Sequence, residues 1–282
     1  VNDAGSQVLN LGQSVVLRCL ELHGVKVEWT ENLYKGEYIN ELAKKFLEKK
    51  SKEEIIKDFD NPRRQTMLIC DARDFAVQEI LEWLKKDLSD FHITFNNWFH
   101  EKDLVPASIL QTNQKLGMKW YEDRDGALWF KSTELGDDKD RVVMKKTGEF
   151  TYFASDIAYH HNKYKRGFDT LINIWGADHH GYIPRMKAVV QALGHDQESL
   201  KVLLVQMVSL MRNGQPVTMS KRAGEFVTLR EVMDEVGADA AKYTFLTRRP
   251  DSQMDFDLEI VKSQSSENPV FYVQYAYARA CN

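Results

Sequence analysis

Thr170-Leu171-Ile172-Asn173-Ile174-Trp175-Gly176-Ala177-Asp178-His179-His180 is an apolar run closed by a glycine and an aspartate. A short apolar run rich in branched residues reads as a strand, and the Gly-Ala-Asp after it as the turn into a helix. A helix over 183–193, stopped by Gly194, and a second apolar strand over 202–210 follow, and 156–164 carries helical spacing upstream. Helix and strand in alternation predict parallel βαβ units. In open sheets of that kind ligands sit outside the carboxyl ends of the strands, which is where Gly176 and Asp178 stand.

Outward from this stretch the pattern changes on both sides. Residues 6–22 place Val8, Leu11, Val15, Cys19 and Leu22 on one helical face, with His23-Gly24 as the stop. A second helix covers 36–49, Ser51-Lys52-Glu53-Glu54 is a capping box, and a longer helix spans 74–88. Ile93, Phe95 and Phe99 alternate with polar residues, which predicts a strand; 106–116 is helical up to Gly117, and 127–153 reads as short strands and turns. Beyond the second apolar strand, Asn213-Gly214 is a tight-turn signal, Thr228-Leu229-Arg230-Glu231 a second capping box, and Asn268-Pro269 an N-cap with proline at the first helical position. The fold class is α/β: a Rossmann-like parallel-sheet core, an inserted α/β module and a helical C-terminal tail.

Composition bounds the function. The 282 residues, 43% hydrophobic, can bury a full core, and a net charge of −4 gives no global basic signal. Any nucleic acid is therefore met by local Lys/Arg patches. Cys19, Cys70 and Cys281 form no CxxC pair, which argues against a disulfide framework or a thiolate zinc site and fits a reducing cytosol. No run approaches the ~20 apolar residues of a membrane span, and no signal peptide opens the chain, so a soluble cytoplasmic protein is expected. The polar start Val1-Asn2-Asp3-Ala4-Gly5 and the aromatic helix stopping at Cys281-Asn282 read as cut ends of a longer enzyme.

Three segments carry candidate chemistry. Val217-Thr218-Met219-Ser220-Lys221-Arg222 is a loop with a mobile lysine, suited to neutralising a polyphosphate, although a solvated charge accounts for it equally simply. Asp178 beyond Gly176 can accept both hydroxyls of a ribose, or merely cap a helix. Tyr152 and Asp156, four apart, offer a hydroxyl and a carboxylate on one wall for a cation such as a guanidinium, or are an N-cap and a core tyrosine. His160-His161 and His179-His180, with Asp156 and Asp178, also allow a metal-dependent hydrolase to be drawn, but no HxH or HExxH spacing supports it.

The three segments in this order resemble the catalytic core of class I arginyl-tRNA synthetases, almost from end to end. Ser155-Asp156-Ile157-Ala158-Tyr159-His160 through Arg166-Gly167-Phe168-Asp169 is its most specific part, and Asp251-Ser252-Gln253-Met254-Asp255-Phe256-Asp257 followed by Asn268-Pro269-Val270-Phe271-Tyr272 also matches. The resemblance implies ATP-dependent activation of L-arginine to arginyl-adenylate and its transfer to tRNA(Arg), with tRNA bound before arginine is activated. It implies arginine binding by Tyr152, Asp156 and His179; ATP binding by Gly176, Asp178, His179, Met219, Ser220 and Lys221; and a catalytic role for Lys221. Thr218 and Arg222 depart from the family loop, so only its second lysine carries over. The implied cofactors are ATP and the Mg²⁺ that accompanies it, with no structural metal. The implied partners are arginine, ATP and tRNA(Arg), with no membrane and a monomeric parent enzyme.

The implied segments are 1–30, the remainder of a first Rossmann half; 31–150, an inserted module; 151–226, the second half; 227–265, a stem-contact region; and 266–282, the start of an anticodon-binding domain. The His-x-Gly-His phosphate signature of the class is absent, since His23-Gly24 is a helix stop. By the resemblance it lies upstream of Val1, and the chain alone is expected to be inactive. A non-catalytic nucleotide- or RNA-binding fragment is the alternative from another class.

Overall fold

The computed structural model describes residues 1–104, 106–217, 227–263 and 268–281. They form two compact units, each assembled from separate stretches: Val1–Asn2, Phe99–Ser209 and Arg248–Asp255 in one, and Asp3–Trp98, Leu210–Thr247 and Phe256–Asn282 in the other.

The second unit is helical. It opens with α1 (Ser6–Leu22), α2 (Glu37–Lys49), α3 (Lys52–Phe59) and α4 (Pro62–Asp90), with α1 packed on the other three. Val15, Cys19, Ile39, Leu42, Leu68 and Ala72 are fully buried among them. The first helix ends as expected, Gly24 taking a left-handed φ of 78°. The Ser51 box is complete: its hydroxyl accepts from Glu54 N at 3.4 Å, and the Glu54 carboxylate accepts from Ser51 N at 2.9 Å.

Two expectations in this region need correcting. The third long helix begins at Pro62 rather than near Asp74, because Asn61 caps it by accepting from Arg63 N at 3.1 Å and proline fills the first position. Its first turn, Arg63-Arg64-Gln65-Thr66, is polar, and the consecutive apolar residues Met67-Leu68-Ile69-Cys70 show no helical spacing by themselves. The alternating stretch 93–99 is not a strand: after α4 His92 turns at φ 56°, Ile93 N returns to Leu88 O at 2.8 Å, and no partner strand is supplied. Phe95 instead meets Trp98 edge to face at 5.3 Å.

The first unit carries the α/β order. After α5 (Ala107–Trp120), interrupted by Gly117 at φ 59°, an antiparallel sheet β1 (Tyr121–Arg124), β2 (Ala127–Phe130) and β3 (Arg141–Met144) leads into α6 (Tyr152–Lys165). Then β4 (Leu171–Gly176), α7 (Ile183–Ala192) and β5 (Leu200–Val205) make one βαβ unit, with β4 and β5 parallel from Leu171/Leu200 to Gly176/Val205. Phe130, Ile157, Met186, Val189 and Leu200 are buried at its centre. The apolar run expected as one strand over 202–210 is two, β5 and β6 (Val208–Arg212), because Gln206 N donates to Pro250 O at 2.8 Å instead of to a strand neighbour.

Returning to the helical unit, the end of β6 pairs with β7 (Gln215–Pro216) through Arg212 and Gln215, and both turn residues have positive φ, Asn213 51° and Gly214 73°. Then come α8 (Leu229–Val236), capped by Thr228 and Glu231, α9 (Ala238–Leu246), α10 (Leu258–Lys262) and α11 (Pro269–Cys281). Asn268 caps α11, its amide oxygen accepting from Val270 N at 3.0 Å. Arg230 joins α8 to α4 by pairing with Asp87 at 2.7 Å and Asp90 at 2.6 Å. The three cysteines are free thiols, and no helix among the described residues is long and apolar enough to cross a membrane.

Gly12 sets how closely α1 approaches α4. A Cβ there would lie 2.4 Å from Ile69 O and 2.8 Å from Arg73 N, both backbone atoms. Gly12→Ala is therefore expected to force the helices apart and lower stability by ~1–3 kcal/mol despite its better helix propensity. Urea unfolding checks this; an unchanged or raised midpoint would show that the contact yields easily.

Candidate active site

The chain entering α6 is tied to the neighbouring sheet before the helix begins. Thr151 N donates to Val143 O at 3.0 Å, and its hydroxyl to Val142 O at 2.8 Å. Helical spacing then puts Tyr152, Ser155, Asp156 and Tyr159 on one stripe, at i, i+3, i+4 and i+7. That stripe and His179 line a cavity of about 370 Å³, whose other side is formed by Val1, Asn2, Phe99, Glu101 and Leu104. Because α6 starts at Tyr152, Asp156 lies inside the helix and caps nothing.

The cavity holds two carboxylates, Asp156 and Glu101, and its wall at Tyr159 is fixed by Phe99, stacked at 4.7 Å between centroids. Burial pushes the Asp156 carboxyl above the ordinary carboxylate range. Opposing that, the Tyr182 hydroxyl donates to Asp156 Oδ2 at 2.6 Å, and the positive charges of Lys163 and Arg185 act on it.

Behind the stripe runs a buried polar chain. His160 Nδ1 donates to Asp156 O at 2.8 Å, so its Nε2 accepts from Asn173 Nδ2 at 2.8 Å. Asn173 Oδ1 in turn accepts from Lys163 Nζ at 2.9 Å, and that ammonium lies 4.4 Å from the centre of the Tyr159 ring. Burial, with Arg166 nearby, pulls Lys163 down to about 8, and burial pulls His160 down to about 4. His161 is engaged as well, at 3.1 Å from Thr112 Oγ1 and 3.3 Å from Lys115 Nζ, and is also lowered to about 4 by burial. Both nitrogens of both rings are thus spoken for by protein. Among the described residues no three His, Cys, Asp or Glu side chains are grouped to hold a metal ion.

Gly176 ends β4, and Ala177–Tyr182 continues as a 3₁₀ turn. Asp178 is exposed and folds back so that a Cβ on Gly176 would meet its Oδ1 at 2.5 Å. His179 Nε2 stands 3.6 Å from Asp178 Oδ2 and also faces the cavity. The structure therefore brings Tyr152, Asp156 and His179 to one cavity, with Gly176 and Asp178 beside it on the His179 turn. Met219, Ser220 and Lys221 lie outside the described residues. Sequence reasoning missed Phe99, Glu101, Tyr159 and Tyr182. Tyr159 was within reach, as the next step of the helical stripe from Tyr152 and Asp156. Nothing local marks Phe99 or Glu101, which arrive from a distant segment.

With this geometry in hand, the comparisons with known proteins are specific. Residues 13–261 match the family described as tRNA synthetases class I (R), catalytic domain, and the chain belongs to that family. It is similar to arginine–tRNA ligases from Desulfosudis oleivorans (50% identity, over 99% of this chain and 50% of the relative) and Oleidesulfovibrio alaskensis (49%, over 100% and 50%). The chain spans about half the length of these curated relatives. A solved structure from Campylobacter jejuni assigned as an arginyl-tRNA synthetase matches with a TM-score of 0.88 at 40% identity, over 99% of this chain and 60% of that one. The Thermus thermophilus arginyl-tRNA synthetase shares the fold, with a TM-score of 0.61 at 17% identity, over 95% of this chain and 54% of that one.

A carboxyl raised by burial is ionised at the expense of the fold. Its proton is bound more tightly in the folded state, so this group's contribution to stability falls as pH rises through the raised pKa. Asp156→Asn is expected to raise the thermal midpoint at pH 7.5, and to raise it less at pH 4. Scanning calorimetry at the two pH values checks this; a lowered midpoint at pH 7.5 would mean that the carboxylate is a net stabiliser.

Proposed function

We propose that this chain is the catalytic-core portion of an arginine–tRNA ligase, which activates L-arginine with ATP and passes it to the 3′ end of tRNA(Arg). The observation that carries the reading is the cavity on α6. Tyr152, Asp156 and His179 converge on it, Glu101 adds a second carboxylate, and aromatic rings form its walls. A guanidinium is a planar fork of donors, and such a site offers it charge and acceptors. On this reading Asp156 and Tyr152, helped by His179, hold the side chain of arginine. Gly176, Asp178 and His179 hold the ATP ribose side. Met219, Ser220 and Lys221 hold the phosphates, with Mg²⁺ arriving on ATP.

The chemistry needs no protein nucleophile. The arginine carboxylate attacks the α-phosphorus, its oxygen forming the new bond as the bond to pyrophosphate breaks. The enzyme contributes positioning and charge. Residues 151–226 act as the second Rossmann half in this scheme, supported by the parallel β4–α7–β5 unit. Segments 1–30, 31–150, 227–265 and 266–282 keep the roles that the resemblance implies. We place the parent enzyme in the cytoplasm as a monomer, with tRNA required before activation.

Three outcomes test the reading. Asp156→Asn keeps the shape and removes the charge, which is expected to weaken arginine by about 2–5 kcal/mol while leaving ATP affinity within twofold. Side-by-side KM values decide it, and a change confined to ATP would mean that the cavity serves another ligand. In the whole ligase, Lys221→Ala is expected to slow adenylate formation on the order of 10²-fold or more with arginine KM little altered. An unchanged rate of arginine-dependent ATP–pyrophosphate exchange would return Lys221 to a solvated surface charge. The same exchange assay on this chain alone, with and without tRNA, separates an active core from a fragment that only binds nucleotide or RNA.

A further inference from the structure

Tyr182 is not among the residues that line the cavity, yet its hydroxyl reaches Asp156 Oδ2 at 2.6 Å. It closes the 3₁₀ turn that carries Asp178 and His179, so one short segment supplies both a cavity residue and the partner of the cavity carboxylate. Its ring is fixed on several sides. Trp175 meets it edge to face at 5.8 Å and Phe153 at 6.3 Å, and the Arg185 guanidinium lies 4.4 Å from its centre. Arg185 is paired at longer range on its other side. Its Nε lies 3.9 Å from Asp137 Oδ2, and Asp137 is a buried carboxylate also held by Arg141 Nε at 2.8 Å and Ser132 Oγ at 3.0 Å. The phenol is thus set by a packed cluster, not by the ligand.

We propose that Tyr182 is the positioning residue of the pocket: its hydroxyl fixes one oxygen of Asp156, so that the remaining acceptor positions face the cavity in one orientation for a planar cation. The proposal rests on reading the cavity as the arginine pocket. Each carboxylate oxygen has two lone pairs, so one hydrogen bond from the phenol leaves three acceptor sites for a bidentate fork. Arg185, stacked over the Tyr182 ring and in ion-pair range of Asp137, backs the phenol. A phenol donates to a carboxylate and has little to offer a carboxylic acid in its place, so the same bond favours the ionised form.

The other titratable or charged groups around Asp156 are Lys163 on its own helix, Arg185 on α7, His179 on the 3₁₀ turn, and Glu101 across the cavity. The second carboxylate, Glu101, opposes ionisation of Asp156, and the Lys163 and Arg185 cations favour it. None of the cations is removed by changing Tyr182 to phenylalanine, which keeps the ring and its packing.

The experiment compares this chain with Tyr182→Phe and Asp156→Asn. In the ligand-free protein, ¹³Cγ titration of Asp156 should move to higher pH in Tyr182→Phe. Arginine binding by calorimetry should weaken about 10-fold at pH 7.5, and its loss on acidification should begin at correspondingly higher pH. Weaker arginine binding with an unmoved Asp156 titration would reduce Tyr182 to a packing role and overturn the proposal. Should the variant not fold, the unsubstituted chain still decides: the Tyr182 ¹³Cζ shift must step at the Asp156 midpoint, and a flat trace overturns the proposal. Arginine binding abolished by Asp156→Asn but indifferent to Tyr182→Phe sinks the positioning role alone. Arginine binding indifferent to Asp156→Asn sinks the pocket reading with it.

Discussion

On the proposed reading Asp156 must be charged and poorly hydrated at the same time, and much of the first unit surrounds it with groups that bear on that conflict. A carboxylate taken out of water is disfavoured unless donors and opposite charges replace the lost solvation. Here the replacements come from separate elements: a phenol from the turn after β4, an ammonium two turns along α6, and a guanidinium from α7. Each is itself held. Lys163 is bound to Asn173 on β4, Arg185 leans on Asp137, and Tyr182 is packed between aromatic rings. The parallel βαβ unit serves the site by presenting these groups from strand, turn and helix at fixed positions.

The local signals in the sequence were legible where a few adjacent residues decide the outcome. Both capping boxes, the glycine stop at Gly24 and the Asn213-Gly214 turn depend on side chains within four residues of one another, and they formed as their chemistry requires. The run at 93–99 failed for the opposite reason, since alternation makes a strand only if another edge is there to pair with it. The break at Gln206 has the same origin: a backbone amide finds Pro250, which no periodicity of the run 202–210 can announce. The start of α4 was a different kind of miss, because Asn61-Pro62 is a local cap overlooked in favour of the apolar stripe that begins later.

The site divides along the same line. Tyr152 and Asp156 were legible because they stand one helical turn apart, whereas His179 was marked only by the family resemblance. Glu101 and Phe99 lie more than fifty residues upstream of Asp156, and only the tertiary fold brings them to the cavity. The paired histidines were ambiguous on paper and became plain once their partners were seen. An imidazole with a carbonyl on one nitrogen and an amide on the other is part of the scaffold, whatever metal-binding capacity its residue type has.

The two opposite charges on α6 also set a balance between function and stability. Asp156 is raised by burial, so its ionised form weakens the fold at every pH above its folded pKa. Lys163 is lowered to about 8 by burial, so its protonated form weakens the fold at every pH below that value. At neutral pH both penalties apply together, and their mutual attraction offsets only part of each. Replacing the pair by apolar residues would relieve both and would also remove one of the cavity's two carboxylates. The polar chain meets the pair unequally: Asn173 accepts from the Lys163 ammonium, while His160 reaches only the Asp156 backbone carbonyl and leaves the carboxylate to Tyr182 and the cavity.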